Sequence, residues 1–441
     1  MSIRRPDSAL DAAQWSVNRR WGVLDWPAMS NTFPDDFLFG AAVGAHQVEG
    51  GNTNSDWWWW EHREATVCRE PSGDACDFYH RYADDIAMLA GFGMNAFRFG
   101  IEWARIEPAE GEFSTAQLDH YRRMLEACHA NSVTPIVTFH HFTLPKWLND
   151  LGGFASDRFP TLFERYCDRA AAALGEGIGV ACTINEPQGL GQSGFLLGIH
   201  PPGHIDDNAG AQAAVDNLLD AHRAGAAAIR AHTHAPVGVT LAIPDIQYEE
   251  GAVPGNTSLE VESQINSRFF ELARADDFIG VQTYTRFRIG PEGPRSPGHD
   301  WSDWAREMEE DDLTTQMGYE YYPQALGGAI RHAWKATGGI PILVTENGIA
   351  TSLDEKRIAF IDAALREVQA CMAEGIDVRS YLHWSLLDNF EWAFGYAPTF
   401  GLVAVDRHTF TRHPKPSAAW LGGVARARRL PERASAVSGS V

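Results

Sequence analysis

Two glutamates stand where apolar runs leave what reads as a protein core. The run Val-Ala-Cys-Thr-Ile ends in Asn185, Glu186 and Pro187, and the run Ile-Leu-Val-Thr ends in Glu346, Asn347 and Gly348. They are far apart along the chain, so only the fold can bring them together. A pair of carboxyl groups flanking one bond is what glycoside hydrolysis needs. One protonates the leaving oxygen, and the other attacks or activates water. Arg98, also on an apolar run, supplies a cation that can keep one carboxylate ionised, as a nucleophile requires. The other carboxyl must hold a proton and later take one back. At this level which glutamate takes which role stays open.

The elements that must position these groups follow a regular alternation. Eight short apolar runs read as strands: Phe37 to Ala42, Ala96 to Trp103, Thr134 to His140, Val180 to Ile184, Val237 to Ile243, Phe278 to Tyr284, Ile342 to Thr345 and Val378 to Trp384. Apolar on both faces and bounded by Gly, Pro or Asn, they suit buried parallel strands. Helical periodicity covers Ala83 to Gly91, Thr115 to Asn131, Phe159 to Leu174, Ala211 to His232, Leu259 to Ala273, Pro323 to Thr337 and Asp354 to Glu374. Eight such units predict an α/β fold, a single (β/α)8 barrel over residues 31–425. In that architecture the C-terminal strand ends carry the site. They offer His46, Gln47 and Glu49, then Arg98, Glu102 and Trp103, then His140 and His141. Asn185 and Glu186, Gln282 and Tyr284, Glu346 and Asn347, and finally Trp384, Glu391 and Trp392 complete the set. The stretch Arg286 to Asp312 is too long for a plain connection and predicts a wall over the site. Residues 1–30 read as a poorly ordered extension, with Met29 a second candidate start, and 426–441 as a flexible tail.

Composition narrows the partners. The chain has 441 residues, 44% of them apolar, and a formal charge of −22 from 36 basic and 58 acidic residues. Such an acidic surface disfavours nucleic acid and anionic membranes. Six scattered cysteines lack zinc-site spacing and read as buried thiols in a reducing compartment. Without an apolar leader or a run of roughly 18 apolar residues, the expectation is a cytoplasmic protein. His140 and His141 are adjacent on a strand and point to opposite faces, so they do not chelate as a pair. No phosphate-binding glycine loop follows the first strand, and no metal or other cofactor is expected. The run Trp57 to Trp60 reads as packing and loop anchoring.

Five phrases in order resemble glycoside hydrolase family 1: FPDDFLFGAAVGAHQVEG (33–50), MNAFRFGIEWARIEP (94–108), TINEP (183–187), VTENG (344–348) and WSLLDNFEWAFGY (384–396). The resemblance implies a retaining exo-β-glycosidase with Glu186 as acid/base and Glu346 as nucleophile. It implies supporting roles for Arg98, Asn185 and Tyr284, and sugar contacts from Gln47, His141, Trp384, Glu391 and Trp392. Tyr319 falls where the family often has a Trp on the aglycone side. Four departures bear on sugar preference: His46 for the usual Tyr, Gly100 for Ser, Phe142 and Thr143 for Trp-Asp, and Gln282 for Asn. The implied substrate is a small β-glycoside or short oligosaccharide with an unphosphorylated glycone, glucose first, then galactose and fucose. Oligomeric state is not readable. The competing readings are a transglycosylase with another glycone, a non-catalytic carbohydrate-binding barrel, and an unrelated barrel enzyme such as an aldolase. The last would want a phosphate site or a strand-end lysine, and neither is evident.

Overall fold

The computed structural model describes residues 32–252, 258–294 and 310–432, with side chains of 258–264 left aside. Eight strands form the barrel: β1 Leu38–Val43, β2 Ala96–Gly100, β3 Thr134–His140, β4 Val180–Asn185, β5 Val237–Ala242, β6 Phe278–Gln282, β7 Ile342–Asn347 and β8 Val378–Trp384. All neighbours pair in parallel and in chain order, and β8 closes onto β1. Nearly every strand residue is buried, because helices cover the outer face while side chains fill the inside. An inner layer of Ala96, Ile136, Val180, Cys182, Phe278, Leu343 and Leu382 plugs the barrel below the site.

The expected helices are present with ends shifted by a few residues, Phe159–Leu174 without any shift. The fold departs from expectation at β2, which stops at Gly100 rather than running to Trp103. Glu102 caps a short helix, Trp103–Ile106, by accepting from the Ala104 amide at 3.2 Å. That side-chain bond satisfies a free helix-end donor, so the chain turns where an apolar pattern reads as strand. Arg286 to Asp312 also begins in order: Arg286–Gly290 pairs with Asp245–Tyr248 in a small sheet, and residues 295–309 lie outside the described part.

At the C-terminus the last helix, Pro416–Ala427, continues past position 426. Arg429 bridges to Thr32, and Leu430 is buried. Residues 1–31, with Met29, and 433–441 lie outside the described residues. All six cysteines are buried and unpaired. Among the described residues no helix is long and apolar enough to cross a membrane.

The tryptophan run forms the helix Asp56–His62, with Trp57 and Trp60 buried and Trp59 exposed. Asp56 ties it to the loop after β3: one carboxylate oxygen accepts from the amides of Trp57 at 2.8 Å and Leu144 at 2.9 Å. Burial pushes this carboxyl up to about 8, and that of Glu49 up to about 7. The unfolded chain ionises at ordinary carboxylate values, so between those and the raised ones the folded protein binds more protons. Stability contributed by these groups is full at low pH and is lost as pH rises through the folded values. Asp56→Asn keeps a neutral acceptor and is expected to flatten the decline in melting temperature between pH 5 and 8. The difference is at most about 1.4 kcal/mol per pH unit for one group. Identical slopes for both proteins would show that Asp56 is ionised in the fold.

Candidate active site

Five strands send a side chain to one buried cluster at the C-terminal mouth. Arg98, fully buried on β2, donates from Nη1 to Glu346 Oε1 on β7 at 2.5 Å. Its Nη2 donates to Asn185 Oδ1 on β4 at 2.5 Å and to Thr240 Oγ1 on β5 at 3.4 Å. Gln282 on β6 donates from Nε2 to both Asn185 Oδ1 at 2.8 Å and Glu346 Oε1 at 3.0 Å. Just past β6, the Tyr284 hydroxyl donates to Glu346 Oε2 at 2.5 Å. Glu346 thus receives three donors. Burial raises its carboxyl above the ordinary range, and the Arg98 charge and the hydrogen bonds from Tyr284 and Arg98 pull it back. Gly348, two residues on, lets this strand end lie against β8, where a Cβ would sit 2.1 Å from the Trp384 carbonyl oxygen.

Glu186 stands between β4 and a short helix opened by Pro187. It adopts φ 45° and ψ 52°, a left-handed conformation that costs a non-glycine residue about 1–3 kcal/mol. Its amide bonds the Thr240 carbonyl at 2.9 Å, which holds the turn. Half-buried, Glu186 lines the same cleft as Glu346, a space of about 260 Å3. Burial raises the Tyr284 hydroxyl well above its ordinary value, and the charges of Glu346 and Glu186 add to this. Tyr284 therefore remains a donor.

The sugar-reading candidates gather on the far side. His141 lies nearly parallel to the Trp384 ring at 5.8 Å and to the Trp392 ring at 6.2 Å. Asn185 Nδ2 and His141 Nε2 approach to 3.4 Å. Burial lowers the imidazole well below its ordinary value, with Arg98 adding to it, so His141 is neutral. Burial pushes Glu391 up to about 8, the Glu346 charge adds to this, and a hydrogen bond from Trp384 opposes it. Gln47 reaches Asn389 at 3.2 Å and Glu391 at 3.5 Å. It is wholly buried, and its Oε1 has no hydrogen-bond partner. Tyr319 lines the cleft beside Met317.

The family model for glycosyl hydrolase family 1 matches residues 29–274 and 256–430. The chain belongs to glycosyl hydrolase family 1. It is a glycosidase. Beta-glucosidase A of Acetivibrio thermocellus is 30% identical over 88% of this chain and 97% of its own length. Thermostable beta-glucosidase B of Thermobispora bispora is 31% identical over 90% of this chain and 92% of its own. Among solved structures, beta-glycosidase BGL167 superposes with a TM-score of 0.80 at 47% identity, covering 91% of this chain and 98% of that one. The beta-glycosidase from Pyrococcus horikoshii gives 0.79 at 32% identity, covering 92% and 97%.

Within this family 1 site the departures have physical readings. Gln282 uses its extra methylene to bridge Asn185 and Glu346. His46 sits off the cleft, within 3.3 Å of Glu61 and 3.0 Å of Asn52, and stacks on Trp392 at 5.8 Å with ring planes 3° apart. Thr143 bonds Glu102 at 2.9 Å, while Phe142, at φ 69°, turns into the cleft. Gly100 brings β2 against the helix Ala45–Glu49, and a Cβ there would meet the Ala45 amide nitrogen at 3.3 Å. Several strand-end residues do not reach the cleft. Glu49 pairs with Arg105 at 2.7 Å, and Trp103 stacks on Tyr166 at 4.7 Å. His140 is buried against Phe154. No group of His, Cys, Asp or Glu among the described residues could hold a metal ion. Sequence reasoning missed Gln188, His200 and Phe394 as wall residues. Gln188 and Phe394 lie on helices too short to show periodicity and His200 on a loop, though Gln188 directly follows Glu186 and Pro187, and Phe394 stands in the phrase 384–396.

Arg98→Met leaves Glu346 buried without its cation. Removing one partner of a buried pair typically costs about 3–5 kcal/mol. We expect a loss of that order in denaturant unfolding, partly recovered in Arg98→Met/Glu346→Gln. Equal stability of wild type and Arg98→Met would show that the pair is not formed in solution.

Proposed function

We propose that this protein is a retaining, exo-acting β-glucosidase for unphosphorylated β-glucosides, with side activity on β-galactosides and β-fucosides. The observation that carries the roles is the convergence of Arg98, Tyr284 and Gln282 on Glu346. Obligate N–H donors on Oε1 favour the carboxylate, which is the form that attacks an anomeric carbon. Glu186, on the facing wall, protonates the departing oxygen as the bond from Glu346 forms. It then takes a proton from the water that releases the glycosyl-enzyme, and two inversions give net retention. Asn185, held by Arg98 and Gln282, is the candidate partner of the sugar 2-hydroxyl. His141 and Glu391 read the remaining hydroxyls, with Gln47 bonded behind Glu391. Trp384 and Trp392 offer faces to the sugar C–H groups. Tyr319 belongs to the aglycone side.

Glucose is placed first because the relatives reported above are named β-glucosidases. No lysine or arginine lines the cleft among the described residues, so a 6-phosphate would find no counter-ion there. The buried thiols accord with a cytoplasmic home.

Glu186→Ala and Glu346→Ala are each expected to lower kcat on p-nitrophenyl β-D-glucoside by about 10²-fold or more. Added azide should give β-glucosyl azide from the first variant and α-glucosyl azide from the second. Activity surviving both substitutions would overturn the two-glutamate mechanism. Tyr284→Phe removes a donor that lowers the Glu346 carboxyl, so the acid limb of the kcat/KM profile should move to higher pH. An unmoved limb would assign that limb to another group.

A further inference from the structure

Against β5, strand β4 carries one extra residue: Cys182 pairs with Gly238, and the next pair is Asn185 with Thr240. Such a bulge re-aims the side chains beyond it. Cys182 lies in the inner plug, whereas Thr183 and Ile184 both turn outward, Ile184 into the cluster that holds the helix residues Leu218 and Phe163. Asn185 therefore points into the mouth, where strict alternation from Cys182 would have sent it out. Beyond the bulge, Thr240 Oγ1 donates to Asn185 Oδ1 at 3.2 Å, and the Thr240 carbonyl accepts the Glu186 amide at 2.9 Å. A buried array grips the bulge from outside the barrel. The Thr183 hydroxyl lies 2.7 Å from Nδ1 of His222, on the helix Asn208–Arg230. His222 Nε2 lies 3.0 Å from Asp276 Oδ2, close enough for an ion pair but without the alignment of a hydrogen bond. Arg230 Nη2 stands 3.4 Å from the other Asp276 oxygen. The carboxylate favours a ring proton on Nε2, so Nδ1 accepts from Thr183. All three side chains are at most 3% exposed.

We propose that Thr183, His222 and Asp276 form a positioning relay that keeps the β4 bulge and so aims Asn185 and Glu186. The inference rests on the β-glucosidase reading and extends it to residues outside the cleft. A hydroxyl, an imidazole and a carboxylate in succession are also the makings of a nucleophile. Thr183, however, is wholly buried and does not line the cleft, so no substrate reaches it. The relay touches no reacting atom and acts only through the backbone. Apart from His222, the Thr183 hydroxyl meets only the Gly238 carbonyl, at 3.4 Å. Without the imidazole it loses the bond that favours two successive outward residues, and regular alternation competes with the bulge. Glu186, three residues on and already in a left-handed conformation, then loses its setting. Protonation of the leaving oxygen suffers first.

The test is kcat/KM for 2,4-dinitrophenyl and methyl β-D-glucosides with wild type, Thr183→Val and Thr183→Ser. Dinitrophenolate leaves without a proton, whereas methanol needs one, and general acid help is worth about 10²- to 10⁴-fold. Valine keeps the shape and removes the hydroxyl, so the methyl glucoside should lose at least about tenfold more than the dinitrophenyl glucoside. Serine keeps the hydroxyl and should behave as wild type on both. His222→Leu leaves β4 unaltered and should show the same selective loss, which carries the test if Thr183→Val fails to fold. Equal losses on the two glucosides, or none, overturn the relay and leave the β-glucosidase reading standing. A protein that is merely destabilised loses active molecules without changing that ratio. Serine behaving like valine overturns the relay as well. No glucose release by the wild type from either substrate overturns both.

Discussion

The buried ion pair between Arg98 and Glu346 is the constraint on which the rest of the mouth depends. Two charges out of water are tolerable only when nearly every donor and lone pair around them is satisfied. Here Asn185, Thr240, Gln282 and Tyr284 do that, so β2, β4, β5, β6 and β7 must keep their register for the pair to persist. Barrel closure and site geometry are one construction. A slip of a strand by one residue would turn its member of the cluster to the outer face. The apolar plug of Ala96, Ile136, Val180 and Leu343 beneath excludes water from the pair and strengthens it.

The same exclusion explains the electrostatics of the cleft. Glu186, Glu346 and Glu391 line it, and Arg98, its main cation, lies behind the wall rather than on it. Burial therefore drives Glu391 up to about 8 and raises Glu346 despite the neighbouring guanidinium. A neutral ligand with many hydroxyls can satisfy such groups without importing charge, and a sugar has that character. The wall that would face it is itself supported from behind. Trp57 lies 4.5 Å from Trp392, and His46 stacks on the same indole, so the tryptophan run acts through packing. This accords with reading Trp57 to Trp60 as anchoring.

Legibility followed physical periodicity. The eight strands and most helices were readable because burial on both strand faces, or on one helical stripe, leaves a pattern in residue type. Glu186, Glu346 and Arg98 stood out because a charged residue at the edge of an apolar run has few reasons to be there. The end of β2 was misplaced because a single side chain, Glu102, supplies the cap that stops the strand. Gln188, His200 and Phe394 were missed because one-turn helices and loops carry no periodic pattern and take their positions from the body they cross.

By itself the amino-acid sequence determined the alternation of strand and helix and the placing of two carboxyl groups and one guanidinium at strand ends. These follow from local pattern and residue chemistry. Tertiary structure alone decided that Gln282 joins Arg98 and Tyr284 on Glu346. It also decided that Glu391 is buried enough to hold a proton near neutrality, and that the loops after β4 to β6 face the cleft with apolar side chains. Each depends on distances between segments remote in sequence. Desolvation and hydrogen bonding act through space, so closure of the barrel sets them.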